Sequence, residues 1–174
     1  MNFMATLRSQ LAGSLTLAAL FLSIGCVPQI ISPATLQHVD QTITIEQLKL
    51  RPSSFISKNI LLGGEIIQTR NTADVTTIMV LALPLDRNRK PLAGSVSGGR
   101  FIVRQPSFLD PAIYRPGRKI TVAGVVVGEQ SLPLGEIIYR YPVIKNRELY
   151  LWPEEDYLRQ EPAVHFGVGI GIGF

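Results

Sequence analysis

Apolar positions in this chain follow two different patterns. Residues Leu11–Ile24 form one run in which nothing charged occurs, and the stretch from Ser9 to Gln37 holds no Asp, Glu, Lys or Arg. From Asn59 onward the apolar residues come instead in short β-branched runs divided by Gly, Pro, Asn and Asp, which is the pattern of strands and turns. Strands are expected over Ile60–Arg70, Val75–Leu83, Arg100–Arg104, Arg118–Glu129, Glu136–Tyr141 and Arg147–Trp152. Asn71–Asp74 turns the first pair into a hairpin, and Pro84–Gly99 is a long loop. Proline at 142 confines the fifth strand to an edge or a bulge. Gly63-Gly64 and Gly124 provide the narrow points at which strands of a small barrel can coil.

Helix is sparse in this reading. Thr44-Ile45-Glu46-Gln47 is a capping box, which predicts a short helix over Ile45–Leu50 that stops before Pro52. Pro52–Phe55 starts a further turn, and Ser107–Tyr114 one helical turn closed by Arg115-Pro116-Gly117. The expected fold is all-β: a small OB-like barrel of about five to six antiparallel strands with one or two short helices. It occupies residues 38–157 and is followed by a glycine-alternating tail, 158–174, expected to be mobile or weakly paired.

The apolar run at the start reads as a secretory signal: Arg8 lies before it and the small residue Gly25 ends it. The next residue, Cys26, is the only cysteine of the chain. Leu22-Ser23-Ile24-Gly25-Cys26 follows, in a loose form, the lipobox of bacterial lipoproteins, with Leu four rather than three before the cysteine. Residues 1–25 would be removed at Gly25, and the Cys26 sulfur would carry diacylglycerol with an acyl chain on the new N-terminus. Two other readings compete: an uncleaved membrane helix, for which the run is short of the ~20 residues that span a bilayer, and an ordinary signal with a chance cysteine. Val27 in place of Asp favours the outer membrane. Residues 26–37, punctuated by Pro28 and Pro33, are expected to be an extended spacer that lifts the domain off the bilayer.

Without the signal, 149 of the 174 residues remain, enough for one domain, and loss of Arg8 takes the formal charge from +4 to +3. That excess is spread along the chain, unlike the basic stripe of a nucleic-acid binder. With its one cysteine acylated the chain has no disulfide.

Several phrases then occur in a characteristic order. They are Leu62-Gly63-Gly64-Glu65-Ile66, Pro84-Leu85-Asp86, Gly98-Gly99-Arg100-Phe101, Phe108-Leu109-Asp110-Pro111 and Tyr114-x-Pro116-Gly117. Ile120-Thr121-Val122-x-Gly124, Tyr139-Arg140-Tyr141-Pro142-Val143 and Leu151-Trp152-Pro153 complete the set. Together they resemble the Slp family of outer-membrane lipoproteins, named for a starvation-inducible lipoprotein. The resemblance implies an outer-membrane address in a Gram-negative-type cell and a part in starvation or envelope stress, and it brings no catalytic residue.

The residues themselves hold little catalytic chemistry. His38 and His165 have no metal-ligand partner at a useful spacing. Gly94-Ser95-Val96-Ser97-Gly98 puts Val where a nucleophile elbow needs Ser. Glu65 and Glu136, in two echoing Gly-Glu-Ile-Ile runs, would make a glycosidase-like pair only across a shared groove. Surface contact or a ligand groove is assigned to Arg87, Arg89 and Lys90, which suit lipid phosphate or lipopolysaccharide, and to Tyr139, Arg140 and Tyr141. The expectation is a non-enzymatic envelope lipoprotein that touches an envelope protein or lipid, with no nucleic acid, no metal and no cofactor beyond its acyl chains. The alternative is a binder of a small or lipid-like ligand in or beside the barrel.

Overall fold

The computed structural model describes residues 29–154. The signal, its cleavage at Gly25, acylation of Cys26, His165 and the glycine tail lie outside the described residues. The compact unit that begins at Ile31 holds two short helices, α1 (Pro33–Leu36) and α2 (Ile45–Leu50), and a 3-10 turn, Pro52–Phe55. Five strands follow: β1 (Asn59–Asn71), β2 (Thr76–Ala82), β3 (Gly99–Gln105), β4 (Lys119–Leu134) and β5 (Ile137–Leu151). They close as β1-β2-β3-β5-β4, with β4 paired back to β1.

Closure needs one strand to serve two neighbours at once, and β1 does so. Asn59–Glu65 pairs with β4, Gly64–Asn71 pairs with β2, and a bulge at Ile67 follows the handover. At the handover a Cβ on Gly64 would lie 1.9 Å from the Leu81 carbonyl oxygen, so only glycine allows the strands to close in there. Gly124 plays the same part on β4, where a Cβ would lie 2.5 Å from the Lys145 carbonyl oxygen beside a second register shift.

Inward-facing Ile60, Leu62, Ile66, Ile78, Val80, Phe101, Val103, Ile120, Val122 and Ile144 fill the interior. Burial alternates with period two along β2, as one inward face requires. The helix α2 closes the end where β3 begins. Its capping box forms, Thr44 accepting from the Gln47 N–H and the Gln47 side chain accepting from the Thr44 N–H, and Ile45 and Leu48 join the core. At the other end the β3–β4 connection is drawn in. The Thr76 hydroxyl donates to the Ser107 carbonyl, Asn71 donates to the Leu109 carbonyl, and Leu109 and Tyr114 pack on the core.

Three expectations are corrected. The fifth and sixth strands are one, β5, because Pro142 sits opposite Glu129 just before β5 meets β3 at Val143 and so breaks no bond of that ladder. The strands are not all antiparallel, since β3 and β5 close the barrel side by side in parallel over Ile102–Arg104 and Val143–Lys145. The helical turn expected in Ser107–Tyr114 is a single one at its end, where the Ile113 and Tyr114 N–H groups both donate to the Asp110 carbonyl. The extended spacer does not reach Gln37: Ile31 is 1% exposed, and Ser32 caps the turn α1, accepting from the Thr35 N–H.

Candidate functional site

With Ile120 and Val122 pointing inward, Thr121 and Ala123 point out of the barrel, yet both are fully buried. Two segments cover them. Over Thr121 lies the β2–β3 loop: the Thr121 hydroxyl donates to the Arg89 carbonyl at 2.6 Å and accepts the Trp152 indole N–H at 2.9 Å. Lys90 Nζ stands 5.7 Å from the centre of the Trp152 ring, which meets Tyr150 edge-on at 4.9 Å. The loop is tight because the Asp86 carboxylate accepts the N–H groups of Asn88 (2.7 Å) and Lys90 (2.8 Å). Leu85 settles into the space that Gly63 leaves open. The backbone is thus fixed at the barrel wall while the Arg87 side chain faces solvent.

Beside it, the chain enters the barrel. The Ser32 N–H donates to the Glu148 carboxylate at 2.8 Å, and Glu148 is the register partner of Ala123. Buried Ile31 and Ser32 are therefore held over the β4–β5 pair one step along from the Thr121 clamp. Farther round, Arg118 donates to the carbonyls of Ile113 and Trp152 and, with Arg115, pairs with Glu154, fixing the end of β5.

The tyrosines assigned to a groove are structural. Tyr141 is 1% exposed and packs with Ile102 and Val143 on the outside of the sheet. Tyr139 lies 4.7 Å from it, and its hydroxyl accepts the Arg100 N–H at 3.0 Å. The pair thereby fastens the long β4–β5 hairpin to β3. Arg140 points the other way and lines an open cleft of about 550 Å³ with Leu50, Arg51, Ile56 and Glu129. A smaller cleft of about 340 Å³ lies between Thr44, Glu46, Leu62, Leu85 and Val96. The six residues do not form one site, because the loop cations stand at the Trp152 end of β5 and Tyr139–Tyr141 at its start.

Glu65 pairs across to Lys119 at the beginning of β4, whereas Glu136 occupies the hairpin turn just past its far end, so the two carboxylates do not converge. Ser97 is tied to its own loop, donating to the Gly99 carbonyl. Among the described residues no group of three or more His, Cys, Asp or Glu is placed to hold a metal ion. Three things escaped the sequence: the Thr121–Trp152 clamp, the Ser32–Glu148 contact and the neighbours that β5 gives to β3. All join residues far apart in the chain, and only the isolated outward Thr in an apolar strand hinted at the first.

Comparison with known proteins places the chain among lipoproteins of the outer membrane. The family described as outer membrane lipoprotein Slp matches residues 24–168. The protein named "Outer membrane protein Slp" of Escherichia coli (strain K12) is 27% identical over 142 residues, 80% of this chain and 74% of that protein. An uncharacterized protein of Haemophilus influenzae is 35% identical over 96 residues, 55% of this chain and 52% of the relative. Among solved structures, Schizosaccharomyces pombe Pot1pC bound to ssDNA aligns with a TM-score of 0.31 and 10% identity, covering 59% of this chain and 84% of that one.

Proposed function

This chain belongs to the outer membrane lipoprotein Slp family, and from that premise we propose that it is a barrel held to the outer membrane by acyl chains on Cys26 that acts by surface contact, without catalysis. The observation that carries the reading is the filled interior: side chains from all five strands occupy it, and α2 and the β3–β4 connection close its ends. What remains for recognition is the outside, and there the clamped loop presents Arg87 on a rigid backbone, with Arg89 and Lys90 half-buried beside it. A preordered cationic loop suits phosphate-bearing envelope components, because little entropy is lost when it binds. Its place in starvation or envelope stress rests on the family resemblance alone.

A second reading, a small or lipid-like ligand beside the barrel, is favoured by the open cleft, where Leu50 and Ile56 offer apolar surface and Arg51 and Arg140 offer charge. One experiment addresses anchor and contact together. Cells fed labelled palmitate should label the wild type and not Cys26→Ser, and density separation should recover the label in the outer membrane. A photocrosslinker at Arg87 should then capture an envelope component, and one at Arg140 should not. Label on Cys26→Ser would overturn the anchor; capture at Arg140 alone would replace the loop by the cleft.

A further inference from the structure

The point of entry has a second feature. Parallel pairing sets Arg104 of β3 beside Lys145 of β5. Two residues farther along β5, Arg147 is the extra residue of a bulge, since Ala123 pairs with Glu148 and Gly124 with Asn146. A bulge re-aims its side chain, and all three cations are exposed. Among the described residues no carboxylate is ion-paired with any of them, and Arg104 has a single 3.5 Å contact to Gln130. The adjacent acid, Glu148, is half-buried and occupied by the Ser32 N–H. Ser32 therefore enters the barrel next to Arg147, at one edge of this patch, with the Arg87–Lys90 loop on the other side.

Chain length makes this placement matter. From Cys26 to buried Ile31 is five residues, which reach at most about 17 Å when fully extended. An acylated Cys26 would therefore keep this face of the barrel within about 17 Å of the bilayer. Two of the three cations lie on the strand that receives the chain, with Arg104 beside them on β3, and Lys145 is only three residues from Glu148, about 10 Å along β5.

We propose that Arg104, Lys145 and Arg147 are a second hold on the membrane, binding anionic phospholipid headgroups beside the acyl chains and fixing which face of the barrel looks at the bilayer. The proposal rests on acylation of Cys26. A five-residue arm keeps this face near the bilayer but leaves the domain free to tilt and turn about its point of entry, whereas a cationic cluster close to that point selects one orientation. Each cation near an anionic surface favours it by roughly fivefold, within a Debye length of about 8–10 Å.

Acylation consumes the one cysteine, so an introduced thiol can be labelled alone. Acylated Val127→Cys, in the exposed β4 bulge beside Lys145, and Ile138→Cys, near the tip of the β4–β5 hairpin, would each carry a fluorophore in vesicles of phosphatidylethanolamine and phosphatidylglycerol containing a headgroup nitroxide. Quenching at Val127→Cys should exceed that at Ile138→Cys by about threefold or more, and most of the excess should disappear in about 0.5 M salt or in phosphatidylcholine. Adding Arg104→Glu and Arg147→Glu to the reporter should remove the excess, and the milder Arg104→Gln with Arg147→Gln should reduce it. Equal quenching at the two positions in an acylated product, or an excess untouched by salt and substitution, overturns the patch alone. Mass spectrometry finding no acyl chain overturns the anchor and the patch with it.

Discussion

Replacing Thr121 by Val tests whether one hydroxyl holds the cationic loop to the barrel. The exchange keeps shape and volume and removes an oxygen that donates to the Arg89 carbonyl at 2.6 Å and accepts the Trp152 indole N–H at 2.9 Å. Each bond contributes about 1 kcal/mol net, and a buried donor left without an acceptor costs about 1–3 kcal/mol. Thr121 is fully buried, but Trp152 is only partly so, which places its N–H at the low end. Against this, the added methyl gains about 0.8 kcal/mol of apolar burial. The balance is a loss of about 2 kcal/mol, or a fall of roughly 6 °C in Tm. Urea unfolding of the full chain in detergent, followed by far-UV circular dichroism, measures the first quantity, and the rate of tryptic cleavage at Arg87 and Arg89 measures release of the loop. Thr121→Ser keeps the hydroxyl and should retain slow cleavage. If Thr121→Val unfolds within about 0.5 kcal/mol of wild type and is cut no faster, the clamp does not hold the loop.

Two further predictions address the barrel and its N-terminal approach. Gly64→Ala would force a Cβ to within 1.9 Å of the Leu81 backbone oxygen and should cost about 3 kcal/mol or more in urea unfolding, whereas Gly94→Ala, with φ +72° and open space around it, should cost only about 1–2 kcal/mol; equal costs would refute the account of strand closure. Hydrogen bonds from the Thr42 hydroxyl and N–H, with a smaller contribution from Lys58, hold the Asp40 carboxyl below its usual range despite slight opposing desolvation. Its folded pKa is thus lower than its unfolded one, so this stabilisation is present above about pH 4 and is lost as pH falls through the folded value. The urea midpoint of Asp40→Asn should accordingly drop less than that of wild type between neutral and acidic pH, and an identical drop would remove Asp40 from the account.

What the sequence disclosed and what it hid divide along chain separation. The capping box at Thr44 and Gln47, the hairpin at Asn71–Asp74 and the need for glycine at 63 and 64 were legible because each is decided by neighbours or by steric rules on a single residue. The merging of two strands into β5 was not, since Pro142 is a strand breaker by local rules and is tolerated only because its place precedes the ladder with β3. Nor could periodicity show that Tyr139 and Tyr141 are fasteners: alternation put them on one face without saying what covered that face.

The spacer shows how such a local misreading changes function. Proline at 28 and 33 argued for an extended arm through Gln37, yet Pro33 opens a helical turn, a position where its missing N–H costs nothing. Burial of Ile31 and the Ser32–Glu148 bond then leave five residues, not twelve, between Cys26 and the barrel. A twelve-residue arm of about 40 Å would let any face of the barrel meet the bilayer, and the surface cations would be interchangeable. With five residues between a Cys26 anchor and the barrel, the outer face of β4 and β5 and the elements beside it would stay nearest the bilayer. Under the proposed Cys26 anchor, position on the barrel decides which cations matter: Arg104, Lys145 and Arg147 on one side of the entry and the clamped loop on the other would be within reach of headgroups. Arg140, at the opposite end of β5 from Trp152, belongs to the surface left open to other partners.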